Sequence, residues 1–97
     1  MQDASDYVKA VIESHLNGDA SRFDELWDLV PGFIERLRSF NSGWLHWSPK
    51  TFDGCYCVKT ASGYDVYFQE RGVIESRRSF PSDRQAVRFL RELHLLP

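Results

Sequence analysis

The chain has 97 residues, 42% of them hydrophobic and 27% charged, a balance that fits one globular domain and excludes an extended disordered chain. No apolar run approaches the ~20 residues that span a bilayer. The acidic opening MQDASDYVKA lacks a basic-then-apolar leader pattern, so a cytoplasmic location is the default expectation. The formal charge of −2 hides a split: residues 1–35 hold eight carboxylates against Lys9 and Arg22, a balance of −6, and the remaining ten bases and six acids give +4. A total this close to neutral weighs against a phosphate-dominated interface.

In chain order, the first predicted helix covers about 3–17. Tyr7, Val8, Val11, Ile12 and His15 or Leu16 form its apolar stripe, Asp3, Ser5 or Asp6 can cap its start, and Asn17-Gly18 stops it. A second helix is predicted over about 21–30, opened by Ser21 with Asp24 at the capping-box position and striped by Phe23, Leu26, Trp27 and Val30. Pro31 disfavours helical geometry at Val30 and has no amide proton, so that helix ends there. A third is predicted over about 31–40, with Pro31 as its first residue and Phe33, Ile34 and Leu37 on its apolar side. Asn41-Ser42-Gly43 closes the helical region.

From Trp44 the period changes. Strands are predicted over about 44–48, 55–60, 64–70 and 73–80, separated by turn signals at Ser48-Pro49, Asp53-Gly54, Ala61-Ser62-Gly63 and Arg71-Gly72. Cys55 and Cys57 share one face of their strand, opposite Tyr56 and Val58. Tyr64, Val66 and Phe68 alternate with Asp65, Tyr67 and Gln69. Gly72 supplies the positive φ of a hairpin turn. Glu75, Ser76, Arg77 and Arg78 give the last strand the polar look of an edge. Ser82 and Gln85 have capping-box spacing ahead of a helix over about 82–94, striped by Ala86, Phe89, Leu90 and Leu93. The order implies a single α+β domain over 1–97, with N-terminal helices, a three- to four-stranded antiparallel sheet and a C-terminal helix packed on that sheet.

Catalytic patterns are sparse. There is no phosphate-binding glycine loop and no Gly-x-Ser-x-Gly turn. His15, His46 and His94 are scattered and share no metal-ligand spacing with Cys55 and Cys57, so neither a metal nor a cofactor is expected. His15 and His94 fall in helix last turns, where they serve the dipole. The two cysteines, ~6.6 Å apart at i and i+2 of a strand, read as buried free thiols. An enzyme would rest on His46 and these thiols alone, and the chain is read as a non-enzyme.

Two features suggest binding. Asp24, Glu25 and Asp28 surround Trp27, with Glu13 and Asp19 close by. Asp24 and Asp28 are i, i+4 neighbours of like sign, and a merely solvated acidic face is the alternative. The second feature is the aromatic group Trp44, Trp47, Tyr56, Tyr64 and Tyr67. Several must be core. Trp47 and Tyr67 are expected to be exposed, Tyr67 because it lies opposite Val66 and Phe68. The candidate partner-binding residues are therefore Glu13, Asp19, Asp24, Glu25, Trp27, Asp28, Trp47 and Tyr67.

Tyr64, Val66, Tyr67, Glu70, Arg71 and Gly72, then Phe80, then Ala86, Phe89, Leu90 and Leu93, form the string Y-x-V-Y-x-x-E-R-G…F…A-x-x-F-L-x-x-L. It resembles small immunity proteins encoded beside bacterial polymorphic or contact-dependent growth inhibition toxins. The likeness covers the last third of the chain, and Ser82-Asp83-Arg84-Gln85 is less acidic than the corresponding turn of that pattern. The resemblance implies a cytosolic antidote that binds one cognate toxin domain, commonly a nuclease with a basic surface, and blocks it without chemistry. The competing reading is a nucleic-acid-binding module that uses Arg71, Arg77, Arg78, Arg84, Arg88 and Arg91 as a stripe on the sheet and last helix. Three strands followed by a helix match the order of double-stranded RNA-binding domains, but the final helix has no lysine-rich start.

Overall fold

Helix α1, Ala4–Leu16, is fixed at both ends by its own sequence. The Asp3 carboxylate accepts the Asp6 amide at 2.8 Å and the Asp6 carboxylate accepts the Asp3 amide at 3.1 Å, a reciprocal cap made from two aspartates. At the far end Asn17 turns left-handed (φ 52°) and the Gly18 amide returns to the Ile12 carbonyl at 3.1 Å. The structure is a computed structural model that describes residues 2–40 and 43–97. Asn41 and Ser42, expected to close the helical region, lie outside the described residues.

The helix expected over 21–30 is instead two shorter pieces, a 3-10 segment Ala20–Glu25 and a single α turn, α2, Leu26–Leu29. The cap is Asp19 rather than Ser21: its Oδ1 accepts the Ser21 amide at 3.1 Å and the Ser21 hydroxyl at 2.6 Å. Arg22 leaves helical geometry (φ −95°, ψ 17°), which breaks the run. Val30 is extended, as the residue before a proline should be, and the helix ends there. Pro31 does not open α3, Phe33–Arg38; Gly32, left-handed at φ 70°, stands between and redirects the chain first.

The sheet holds β1 Leu45–His46, β2 Gly54–Thr60, β3 Gly63–Glu70 and β4 Val73–Phe80, in the order β1-β2-β3-β4. The pairs β2–β3 and β3–β4 are antiparallel, but β1 runs parallel to β2, so the sheet is mixed rather than antiparallel throughout. A parallel pair needs a crossover. Residues 47–53 make a short one, which suffices because β1 contributes only Leu45 and His46. Gly54 (φ 152°) lets β1 come this close: a Cβ there would run into the Trp44 carbonyl oxygen and lie 2.9 Å from the His46 ring.

Arg71 (φ 51°) and Gly72 (φ 79°) are both left-handed, the type I′ geometry that matches strand twist, and the positive φ expected at Gly72 is present. A bulge at Ser76 (φ 54°) shifts the β3–β4 register from Val66↔Arg78 to Phe68↔Glu75. Strand β4 is an edge strand, exposed from Val73 to Ser79.

Helix α4, Asp83–Glu92, begins where Ser82 Oγ accepts the Gln85 amide at 3.3 Å. It ends before His94, which sits at φ 61° in the reversal closed by the Leu95 amide on the Leu90 carbonyl, so of the two terminal histidines only His15 lies in a last turn. Helix α4 packs on β3 and β4, burying Ala86, Val87 and Leu90. Cys55, Cys57, Tyr64 and Val66 on the sheet share one core with Tyr7, Val8, Leu16, Phe23, Leu26, Phe33 and Leu37 from the helices. Arg91 ties the layers together: it donates to the Ala20 carbonyl at 3.0 Å and the Pro97 carbonyl at 2.7 Å, and lies 4.0 Å over the Phe23 ring. The result is a two-layer α+β domain.

Candidate partner-binding surface

On the face of the sheet away from the helices, strand register lines up His46, Tyr56 and Tyr67, and Arg77 of β4 reaches over the last of them. His46 and Tyr56 have centroids 4.7 Å apart, Tyr56 and Tyr67 5.1 Å, and the Arg77 guanidinium lies 4.8 Å over Tyr67. This row is covered by residues 48–53. The Tyr56 hydroxyl donates to the Phe52 carbonyl at 2.6 Å, and Gln69 Nε2 donates to the carbonyls of Lys50 and Phe52 at 3.0 and 3.2 Å. The Asp53 carboxylate accepts the Arg71 amide at 2.9 Å, and His46 Nε2 lies 3.3 Å from the Asp53 carbonyl.

That cover overturns the expected exposure of Tyr67, which is 5% exposed beside a fully buried Tyr56. Trp47, also expected outside, is 8% exposed and packs in the main core with Leu45. Trp47 follows the alternation of β1: two residues after buried Leu45, it falls on the same core-facing side. Neither residue is available to a partner as the fold stands.

The acidic residues are on the surface, but most are engaged. Asp24 lies 3.3 Å from Arg88, Asp28 3.5 Å from Arg84, and Glu25 2.7 Å from Arg22, with Arg84 5.6 Å over the Trp27 ring. Asp24, Trp27 and Asp28 thus form a seam with α4, whose arginines offset the like-charge pair. Glu13 and Asp19 stand outside that seam. The Ser21 hydroxyl and amide hold the Asp19 carboxyl below the usual carboxylate range, and the Arg22 guanidinium does the same for Glu25. The acidic and basic sets that the sequence set against each other are therefore partly one surface. Of the arginines proposed as a stripe, Arg77 also reaches Asp65 at 3.3 Å, Arg78 lies 5.0 Å over Phe89, and Arg84, Arg88 and Arg91 have the partners already given.

A different group is apolar and open. Trp44 (52%), Phe52 (60%), Val73 (56%) and Ile74 (45%) are four of the five large hydrophobic side chains exposed among the described residues, the fifth being Leu29. Register gathers the four at one end of the sheet. The Trp44 carbonyl takes the Cys55 amide beside Gly54; Gly54 pairs with Gln69, Gln69 with Ile74, and Glu70 with Val73; the Phe52 carbonyl is held by Gln69. Phe52, Val73 and Ile74 were not among the sequence candidates. Their one sequence signal is Val73-Ile74 directly after the turn, where two adjacent apolar residues break a half-polar alternation.

Cys55 and Cys57 are free and buried, and burial pushes their thiols up to about 11 and about 12. Among the described residues no three His, Cys, Asp or Glu side chains converge on a point, and no helix is long and apolar enough to cross a membrane. Comparison of the chain with family models, with curated proteins and with solved structures found no match.

Proposed function

We propose that this chain is a binding protein of the immunity type, which neutralises one cognate bacterial toxin domain by covering it rather than by chemistry. The observation that carries this reading is the gathering of Trp44, Phe52, Val73 and Ile74 at one end of the sheet. Grouped large apolar side chains on a soluble surface are a common mark of a protein-binding site. They also adjoin Glu70, Arg71 and Gly72, the turn within the segment that resembles immunity proteins. The apolar end supplies the desolvated centre of the interface. The −6 balance of residues 1–35 supplies attraction toward a toxin with a basic, substrate-phosphate-binding surface. The Asp24–Arg88 and Asp28–Arg84 pairs are exposed and weak, about 0–1 kcal/mol each, so they can exchange for charges on a partner.

This reading expects the adjacent gene to encode a large secreted protein that ends in a toxin domain, and that domain is the test partner. Co-expression should rescue growth and yield a one-to-one complex. Replacing Phe52 and Ile74 by serine should weaken binding by roughly tenfold or more, about 1.4 kcal/mol, with the fold intact. An adjacent gene of another kind, or full protection by the double variant, counts against this reading. Tight, salt-dependent binding of generic RNA by the chain alone would favour the nucleic-acid reading instead.

A further inference from the structure

We infer that the pocket between the end of α3, β1 and the 47–53 crossover is a binding site for a small molecule carrying an oxyanion, a phosphate or a carboxylate. The pocket encloses about 460 Å³, within the range of small-ligand sites. Its wall is rich in donors: Arg38, Lys50, His46 and Trp47 all line it, and Asp53 is the one carboxylate that does. That carboxylate already accepts the Arg71 amide at 2.9 Å.

Two of these donors lack acceptors. Arg38 Nε and Trp47 Nε1 are buried and have no hydrogen-bond partner among the described residues. Arg38 also makes no ion pair among the described residues; its guanidinium lies 5.8 Å over the Tyr64 ring. Buried donors normally find acceptors, so two orphans on residues that line one pocket are unusual. Arg38 and Lys50 against Asp53 leave the lining net positive, with the Arg38 fork suited to an oxyanion. The exposed Phe52 ring, 6.0 Å from the His46 ring, gives an apolar wall for the rest of the ligand. This site does not rest on the docking proposal. Phe52 borders both, but Arg38 and Lys50 belong to the pocket and Ile74 to the apolar end.

The experiment is a titration of isotope-labelled protein by NMR at constant ionic strength. Inorganic phosphate, acetate and adenosine 5′-monophosphate are each added against a sodium chloride control. The indole N–H signal of Trp47 is followed, with that of Trp27 as internal reference, since Trp27 Nε1 is also buried without a partner but lies outside the pocket. A saturable shift of Trp47 alone is expected. Phosphate against acetate ranks the two oxyanions, and tighter binding of the nucleotide than of phosphate would show the Phe52 wall in use. Lys50→Gln and Arg38→Gln should each weaken binding by roughly tenfold, the size of one lost charge-assisted hydrogen bond. If Arg38→Gln does not fold, Lys50→Gln, on the exposed crossover, decides. No saturable shift up to roughly 10 mM, or equal affinity in the Lys50 variant, overturns the site.

Discussion

Arg71 and Gly72 stand side by side in the left-handed region, at φ 51° and 79°, and only one of them is a glycine. A Cβ on Gly72 meets nothing within 4 Å, so the cost of adding one is in the backbone alone. Gly72→Val should lower stability by at least ~1 kcal/mol. Arg71→Asn should do the opposite, by about 0.5 kcal/mol, because asparagine tolerates this region better. The Asp53 carboxylate bonds the backbone amide at position 71, so that contact survives the change. Thermal unfolding of the two variants checks both signs. The thiols give a second residue-scale prediction. Cys55 and Cys57, raised from 9.0 to about 11 and about 12, are held neutral by the fold. The unfolded chain gives up those protons first, so their contribution is whole below pH 9 and is lost as pH climbs from there through the folded values. The phenols of Tyr7 and Tyr64, also raised by burial, push the same way at higher pH. Urea midpoints should be flat near neutrality and fall above pH 9, less steeply in a Cys55→Ala, Cys57→Ala variant. Gly72 was legible because only glycine fits such a turn without penalty. The burial of Tyr67 was not, because its cover comes from residues 48–53, far away in sequence and joined to it by tertiary contacts.

Helix ends were legible where the signal is local. Asn17 with Gly18 stops α1 where expected, Asp3 is the one of three candidate residues that caps its start, and Ser82 accepts the Gln85 amide without the return bond of a full capping box. The segment 20–29 was not legible, since choosing 3-10 over α geometry depends on Asp19 reaching Ser21 and on a non-helical Arg22. The direction of β1 was also beyond the pattern: a two-residue strand looks alike in either sense, and the path of the crossover decides. That crossover is held to the sheet largely by Gln69, whose amide satisfies two of its carbonyls. Gln69→Leu should loosen it at a cost of about 0.5–1.5 kcal/mol, because the Lys50 carbonyl loses its donor while the Phe52 carbonyl keeps the Tyr56 hydroxyl. Limited proteolysis reads the loosening directly, with trypsin at Lys50 and chymotrypsin at Phe52. Unchanged protection would mean that Tyr56 and Asp53 hold the segment unaided.

Across the whole molecule, charge and apolar surface have separable effects, and kinetics can separate them. Asp24→Lys with Asp28→Lys adds four positive units to a chain of −2, giving +2, and sets lysines beside Arg84 and Arg88. The pairs are exposed, so the stability loss should stay below about 2 kcal/mol. The loss of the attractive field should slow association with a basic toxin domain by about tenfold at low salt and flatten its salt dependence, leaving dissociation nearly unchanged. Exchanging the charges, Asp24→Arg with Arg88→Asp, keeps the net charge and the pair, so both stability and association rate should return. Ile74→Asp acts elsewhere: it places a charge in the apolar end and should speed dissociation, since truncating or charging a desolvated centre shows mainly in the off-rate. Stopped-flow association and dissociation rates for these three proteins distinguish the assignments. If Asp24→Lys with Asp28→Lys accelerates dissociation while Ile74→Asp leaves it unchanged, the acidic seam is the buried centre of the interface and the end of the sheet around Trp44, Phe52, Val73 and Ile74 is not.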